Sequence, residues 1–402
     1  MKTKNLALGF IAFVVFISLT GCASTKNNEN LIYTPTSDGN NLSVNEQIPT
    51  TEPTENPQNA EYDIASLLAS ISPDSPFTMP ATPVTAENIN QVIPLAIRNM
   101  DDLDFTYLRI TPHADMMAVT TPNKIKVYQL STLELLTSID YARVQSLAGG
   151  GTLFPATFSL DGKLLALFYG NSDGSTLFQV LDTETWTPVE LGGMSGIKRI
   201  NNPGGENRDS LVFLGDNQYI LFSGMSGIIA DRYSPDPKYA LISFDDTLSS
   251  LVSISYDGTL IAGVGSDRMT LSVKKAEPLP SEVVFNYTFP RFVQRVAFSP
   301  TNHFLAASSY GELKVWNIDT GEIVFQYTSP FGDFDYKSVS FSSDGSLLFV
   351  DNIVFDLMTG NELYPPVFEY LWSNGLFYVG TNQEGTILVT TQYGQIIYWG
   401  VP

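Results

Sequence analysis

The chain has 402 residues, 43% of them apolar, which is enough for one large core or two ordinary ones. Its formal net charge of −21 repels phosphate backbones and anionic headgroups alike. That disfavours nucleic-acid binding and leaves any membrane contact to something covalent or apolar. One cysteine and two histidines rule out an internal disulfide and leave too few ligands for a Cys/His zinc site.

In chain order, Met1-Lys2-Thr3-Lys4 is a short basic segment. An apolar run from Leu6 to Leu19 follows, broken only by Gly9 and Ser18. It is shorter than the ~20 residues a spanning helix needs. Basic start, short apolar run and small residues make a secretory signal. The run ends in Leu19-Thr20-Gly21-Cys22, which resembles the lipobox of bacterial lipoproteins. The resemblance implies diacylglycerol on the Cys22 thiol and cleavage before it. Loss of Lys2 and Lys4 with residues 1–21 would take the charge from −21 to −23. A lipid anchor contributes roughly 0.8 kcal/mol per buried CH₂, and two or three chains hold firmly. The expected location is the extracytoplasmic face of the cell membrane, with inner and outer membranes both open.

Residues 22–60 are rich in Asn, Thr, Ser, Pro and Glu, as in Pro49-Thr50-Thr51-Glu52-Pro53. Such a composition buries too little apolar surface to order itself. It reads as a tether spanning roughly 35 Å root-mean-square. Residues 61–89 form a lead-in: a short amphipathic helix over 61–70, then prolines 73, 76, 80 and 83.

From residue 90 a four-strand pattern recurs. Its clearest copy is Val296-Ala297-Phe298-Ser299-Pro300, Phe304–Ser309, Leu313–Ile318, Asp319-Thr320-Gly321 and Ile323–Tyr327. The second position of the first turn falls at Pro112, Leu160, Gly215, Tyr256, Pro300, Ser343 and Gln383, with gaps of 40 to 55 residues. A period near 40–45 with four strands per unit is the signature of propeller blades. Asp161-Gly162, Asp257-Gly258 and Asp344-Gly345 close three of these turns, where Gly supplies positive φ.

Over residues 90–402 the chain resembles the WD-repeat family, with Trp316-Asn317 standing where that family often has Trp-Asp. The family's Gly-His dipeptide is missing, so its Asp-His-Ser-Trp network is not expected. The expected fold is all-β, a single β-propeller of seven four-stranded blades, with six and eight still compatible. The last unit stops at its third strand, so Gln91–Ile97 is expected to supply the fourth and close the ring. Pro94 suits only an outermost strand there. The third unit is the most irregular.

The search for chemistry yields little. His113 and His303 sit at matching turns and have no nucleophile and acid arranged around them. Ser255-Tyr256-Asp257-Gly258-Thr259 and Ser172-Asp173-Gly174-Ser175-Thr176 faintly echo sialidase-type turns but lack the Trp. Asn171–Ser175 is the best candidate for Ca²⁺, without the spaced acids of a full loop. Gly149-Gly150-Gly151 reads as a connector. No enzyme activity, metal or cofactor is expected.

The loops leading into each new blade share a rim with the second-to-third-strand turns. Several carry arginines beside aromatics, a pairing enriched at protein interfaces. The candidate binding face comprises Tyr141, Arg143, Arg199, Arg208, Arg291, Phe292, Arg295, Phe334 and Tyr336. The function expected is a non-enzymatic protein–protein interaction scaffold, held at the membrane through its N-terminal lipid, with envelope or extracellular proteins as partners. A glycan-binding or glycan-acting propeller, or an accessory lipoprotein of an envelope assembly machine, are the alternatives.

Overall fold

The computed structural model describes residues 63–99 and most of 107–402. Residues 1–62, 100–106, 112–114, 122–123, 141–151, 154–155, 171–174, 190–197, 202–210, 215–218, 223–227, 232–240, 244–247, 249, 277–281, 331, 333–335, 337, 352, 374–379, 383 and 393 lie outside the described set. Cys22 and the tether are among these.

The architecture follows from short strands joined by tight turns. The first sheet holds Tyr107–Ile110, Met116–Thr120, Lys124–Gln129 and Leu135–Asp140, antiparallel and in chain order. The second pairs Thr152–Leu153 and Thr157–Phe158 with Leu164–Gly170, followed by Ser175–Asp182 and Lys198–Asn201. The third is short: Leu211–Leu214, Tyr219–Phe222, Ile228–Asp231, Leu241–Ser243. The fourth comprises Ser250–Ile254, Leu260–Val264, Thr270–Lys275 and Val283–Thr288. The fifth has Val293–Phe298, Phe304–Ser309, Glu312–Asn317 and Ile323–Thr328. The sixth has Val339–Phe341, Leu347–Val350, Ile353–Asp356 and a final strand of two residues, Glu362–Leu363.

A further, closing sheet joins both ends of the described chain. Gly380–Thr381, Ile387–Gln392 and Gln395–Gly400 are completed by Ile93–Asn99, which pairs antiparallel with Gln395–Gly400. The first strands of neighbouring sheets lie against one another from the closing sheet through the first to the sixth. A core of Leu347, Phe349, Leu388, Ile397 and Trp399 joins the sixth to the closing sheet. The result is a β-propeller, all-β apart from short helices. It has six blades of consecutive strands, not the seven counted from the period. The last unit becomes a sheet only by borrowing Ile93–Asn99. At the turns the second and fourth sheets come close: a Cβ on Gly258 of the fourth would meet Leu160 Cδ1 of the second at 3.1 Å.

Turn chemistry explains why the sequence folds this way. A buried Thr, Ser or Asn opens six of the first turns: Thr111, Ser159, Ser255, Ser299, Ser342 and Asn382. Each side-chain oxygen accepts the backbone N–H five residues on, from Met116, Leu164, Leu260, Phe304, Leu347 and Ile387, at 2.9–3.2 Å. The clasp satisfies a donor that water cannot reach. Gly162, Gly258 and Gly345 take φ of 70–73°, and Asn302 takes 61° at the same place in the fifth sheet. Asn is the non-glycine residue that tolerates this region best.

Closure has its own devices. Pro94 lies on the outermost strand, opposite Trp399, with a bulge before Ala96. Its missing N–H costs no ladder bond to a further strand. The lead-in clamps the seam: Val84 N–H donates to Gly385 O at 2.8 Å, Asp74 N–H to Ile97 O at 2.8 Å, and Thr82 bridges Val401. Helix α1 (Ile64–Ser70) is capped by Asp63, which accepts from the Ser66 amide at 3.1 Å. Helix α2 (Pro366–Ser373) replaces most of the sixth sheet's outer strand, and Phe368 stacks on Phe349 with centroids 5.7 Å apart. Both helices feed the core between the sixth and closing sheets.

Candidate functional site

The surveyed rim is built where strands change sheets. Between the fourth and fifth sheets, Phe289 is buried and anchors the connection. Its N–H donates to Met269 O at 3.0 Å, and the Val293 N–H donates to Arg268 O at 2.8 Å. These bonds tie the loop to the second-to-third-strand turn Gly265–Met269. Arg268 holds φ at 61° in that turn. Asp267 fixes the turn by accepting from the Met269 and Thr270 amides, both at 2.9 Å, and from the Thr270 hydroxyl at 2.6 Å. Burial pushes the Asp267 carboxyl up, but these hydrogen bonds outweigh it, and the group sits below the ordinary carboxylate range.

On this frame the Arg268 guanidinium lies 5.0 Å from the centroid of the Phe292 ring. Phe292 is 43% exposed and Arg291 beside it is exposed. Tyr310, 37% exposed, stands on the corresponding turn of the fifth sheet, where the Ser329 N–H donates to Gly311 O at 2.7 Å. The rim here is thus a rigid backbone carrying an exposed cation–aromatic pair, a second arginine and a tyrosine.

The other residues of the candidate face fall differently. Arg199 belongs to the outer strand Lys198–Asn201 of the second sheet, opposite Leu177, where the sequence read a loop. Arg295 lies on the innermost strand of the fifth sheet and is half-buried, with Nη1 donating to Gln294 O at 2.5 Å. Tyr336 is buried in the core between the fifth and sixth sheets, with Phe325, Phe341 and Phe355. Burial first, then Tyr327 and Asp351 nearby, push its phenol well above the usual range. Its ring therefore braces the wall and is not presented to a partner. Tyr141, Arg143, Arg208 and Phe334 lie outside the described residues, as do the Ca²⁺ candidate Asn171–Gly174 and His113. The described His303 is exposed on the turn face, its Nδ1 3.3 Å from Asp319 Oδ2.

Two arginines of interest escaped the sequence reading. Arg268 belonged to a turn already assigned to the rim, so its position was the available signal. Arg109, on the innermost strand of the first sheet, was signalled by a charge inside the apolar Tyr107-Leu108-Arg109-Ile110. In the closing sheet, the buried Trp399 indole donates to Thr390 Oγ1 at 2.7 Å. Among the described residues no group of three His, Cys, Asp or Glu side chains is placed to hold a metal. No described helix is long and apolar enough to cross a membrane.

No protein-family model matches the chain, and no curated protein matches it. Among solved structures, a chain from the crystal structure of a mitotic checkpoint complex is similar, with a TM-score of 0.55 at 18% identity over 80% of this chain and 99% of that one. The likeness shows the fold, a WD40-like β-propeller. At that identity it carries no partner or activity with it.

Proposed function

We propose that this chain is a non-enzymatic protein-interaction scaffold, lipid-anchored through Cys22 and displayed outside the cytoplasmic membrane. The observation that carries the scaffold reading is the rim between the fourth and fifth sheets, where Phe292 is exposed beneath the Arg268 guanidinium. Ordered loops over a closed ring lose little entropy on binding, and exposed aromatics beside arginine are the side chains that anchor interfaces. The propeller fold and its likeness to a chain from a multiprotein complex are consistent with this role. The signal-like start and the lipobox-like Leu19-Thr20-Gly21-Cys22 support the anchor. Envelope or extracellular proteins are the proposed partners.

The test is affinity capture of envelope proteins with wild-type chain and with Phe292→Ala and Arg268→Glu. The scaffold reading expects specific partners to be lost from both variants while their thermal unfolding stays near wild type. Unchanged capture by both would remove this rim from the account.

A further inference from the structure

We infer that the axial channel of the propeller holds a binding site for a small oxyanion, a phosphate or carboxylate group, centred on Arg109. The site is separate from the rim and does not depend on it.

The first strand of every sheet sits at the sheet's inner edge, so its unpaired backbone groups face the axis. Arg109 Nη1 donates to Leu108 O at 3.1 Å, and Arg295 Nη1 donates to Gln294 O. In each case the acceptor is the carbonyl of the preceding residue on the arginine's own innermost strand. A guanidinium bonded to that unpaired edge lies on the channel side. Both arginines are half-buried.

Register identifies what shares the level of Arg109. Arg109 pairs with Ala118, one step from Ile110 opposite Met117. The same step in other sheets gives Thr157, Ser253, Ala297, Ser340 and Gly380. All of these but Gly380 are partly open to solvent. Among the described side chains, the level therefore presents one long cation among small residues, three of them hydroxylic. Among the described residues, the Arg109 guanidinium makes only its bond to Leu108 O, and the Thr157 and Ser253 hydroxyls make none. Arg295 stands two residues from Ala297 on its strand, roughly 7 Å along the axis.

Charge selects the ligand. The chain carries 42 acidic and 21 basic residues, yet its described innermost strands hold two arginines and no Asp or Glu. A half-buried guanidinium with most of its donors uncommitted is costly without a counter-charge. A channel lined by one sign of charge between low-dielectric walls concentrates ions of the other sign. The planar guanidinium fork matches two oxygens of a carboxylate or phosphate, and hydroxyls supply further donors.

The experiment is calorimetric titration of the full chain in detergent at fixed ionic strength, with inorganic phosphate in one arm and succinate in the other. The site predicts saturable binding of at least one anion, and the two arms tell phosphate from carboxylate preference. Arg109→Gln should weaken it about ten-fold or more, as loss of charge-assisted hydrogen bonds implies. Arg109→Lys, which keeps the charge, should fall between, and Lys275→Gln, an exposed residue of the fourth sheet paired with Glu282, should bind as wild type. If Arg109→Gln unfolds, the Lys variant decides. Absence of saturable binding in both arms, or wild-type affinity in the Arg109 variants, overturns the proposal.

Discussion

Single side chains carry the repeat. Ser342 is buried, and its hydroxyl accepts from the Leu347 amide at 2.9 Å while donating to Asp344 at 2.6 Å. Ser342→Ala strands a buried amide and should cost about 1–3 kcal/mol, read from urea unfolding. The turn acids add a pH dependence. In Asp257, burial raises the pKa, but hydrogen bonds from Ser255 and Thr259 hold it below the ordinary 3.8, and Asp267 behaves alike. A depressed folded-state pKa stabilises above the unfolded value and is lost as pH falls through the folded one. Stability should therefore fall as pH drops below about 4, and Asp257→Asn should flatten that decline in acid melts. The Arg98–Asp74 pair, at 3.3 Å and with Asp74 47% exposed, adds under about 1 kcal/mol.

At the level of elements, closure is the point of greatest consequence. Gly400 is fixed by close approach: a Cβ there would meet Leu95 Cδ1 and Thr386 O at 2.8 Å and Pro80 Cγ at 3.0 Å. Gly400→Val should overpack the seam, cost about 1–3 kcal/mol, and speed amide exchange across Ile387–Gly400 before the other sheets respond. The closing strand was legible because an unfinished last unit demands a partner, and Pro94 restricts which strand that is. The first turns were legible from Asp-Gly, although the buried hydroxyl behind each was not. Helix α2 was not legible: the repeat calls for a fourth strand in this part of the sixth unit, whereas Phe368 packs on Phe349 from a helix. The rim was legible as a set of loops. Burial decided within it, drawing Tyr336 into the core and Arg295 onto an inner strand, and spacing alone does not encode that choice.

For the whole molecule, buried side chains join neighbouring sheets. Trp316 packs against Phe285 and Tyr287 of the fourth sheet and Phe289 of the connection after it, at centroid distances of 5.3–6.0 Å. Lys274 fills the equivalent place in the fourth sheet, opposite Ile261 where Trp316 faces Leu305. The third sheet is built of strands of only three and four residues. Against that scaffold, the membrane contact proposed for Cys22 is purely covalent. Cys22→Ser should release a folded propeller into the soluble fraction, and retention of the variant in salt-washed membranes would mean a second anchor. The central claim, that the rim between the fourth and fifth sheets engages a partner protein, is tested most directly by a photo-crosslinking residue at Phe292 in intact cells. Met358, 82% exposed on a third-to-fourth-strand turn, serves as the control position. The account predicts a discrete cross-linked species from position 292 that Arg268→Glu abolishes, and none from position 358. Equal cross-linking from both positions, or none from 292, would contradict it.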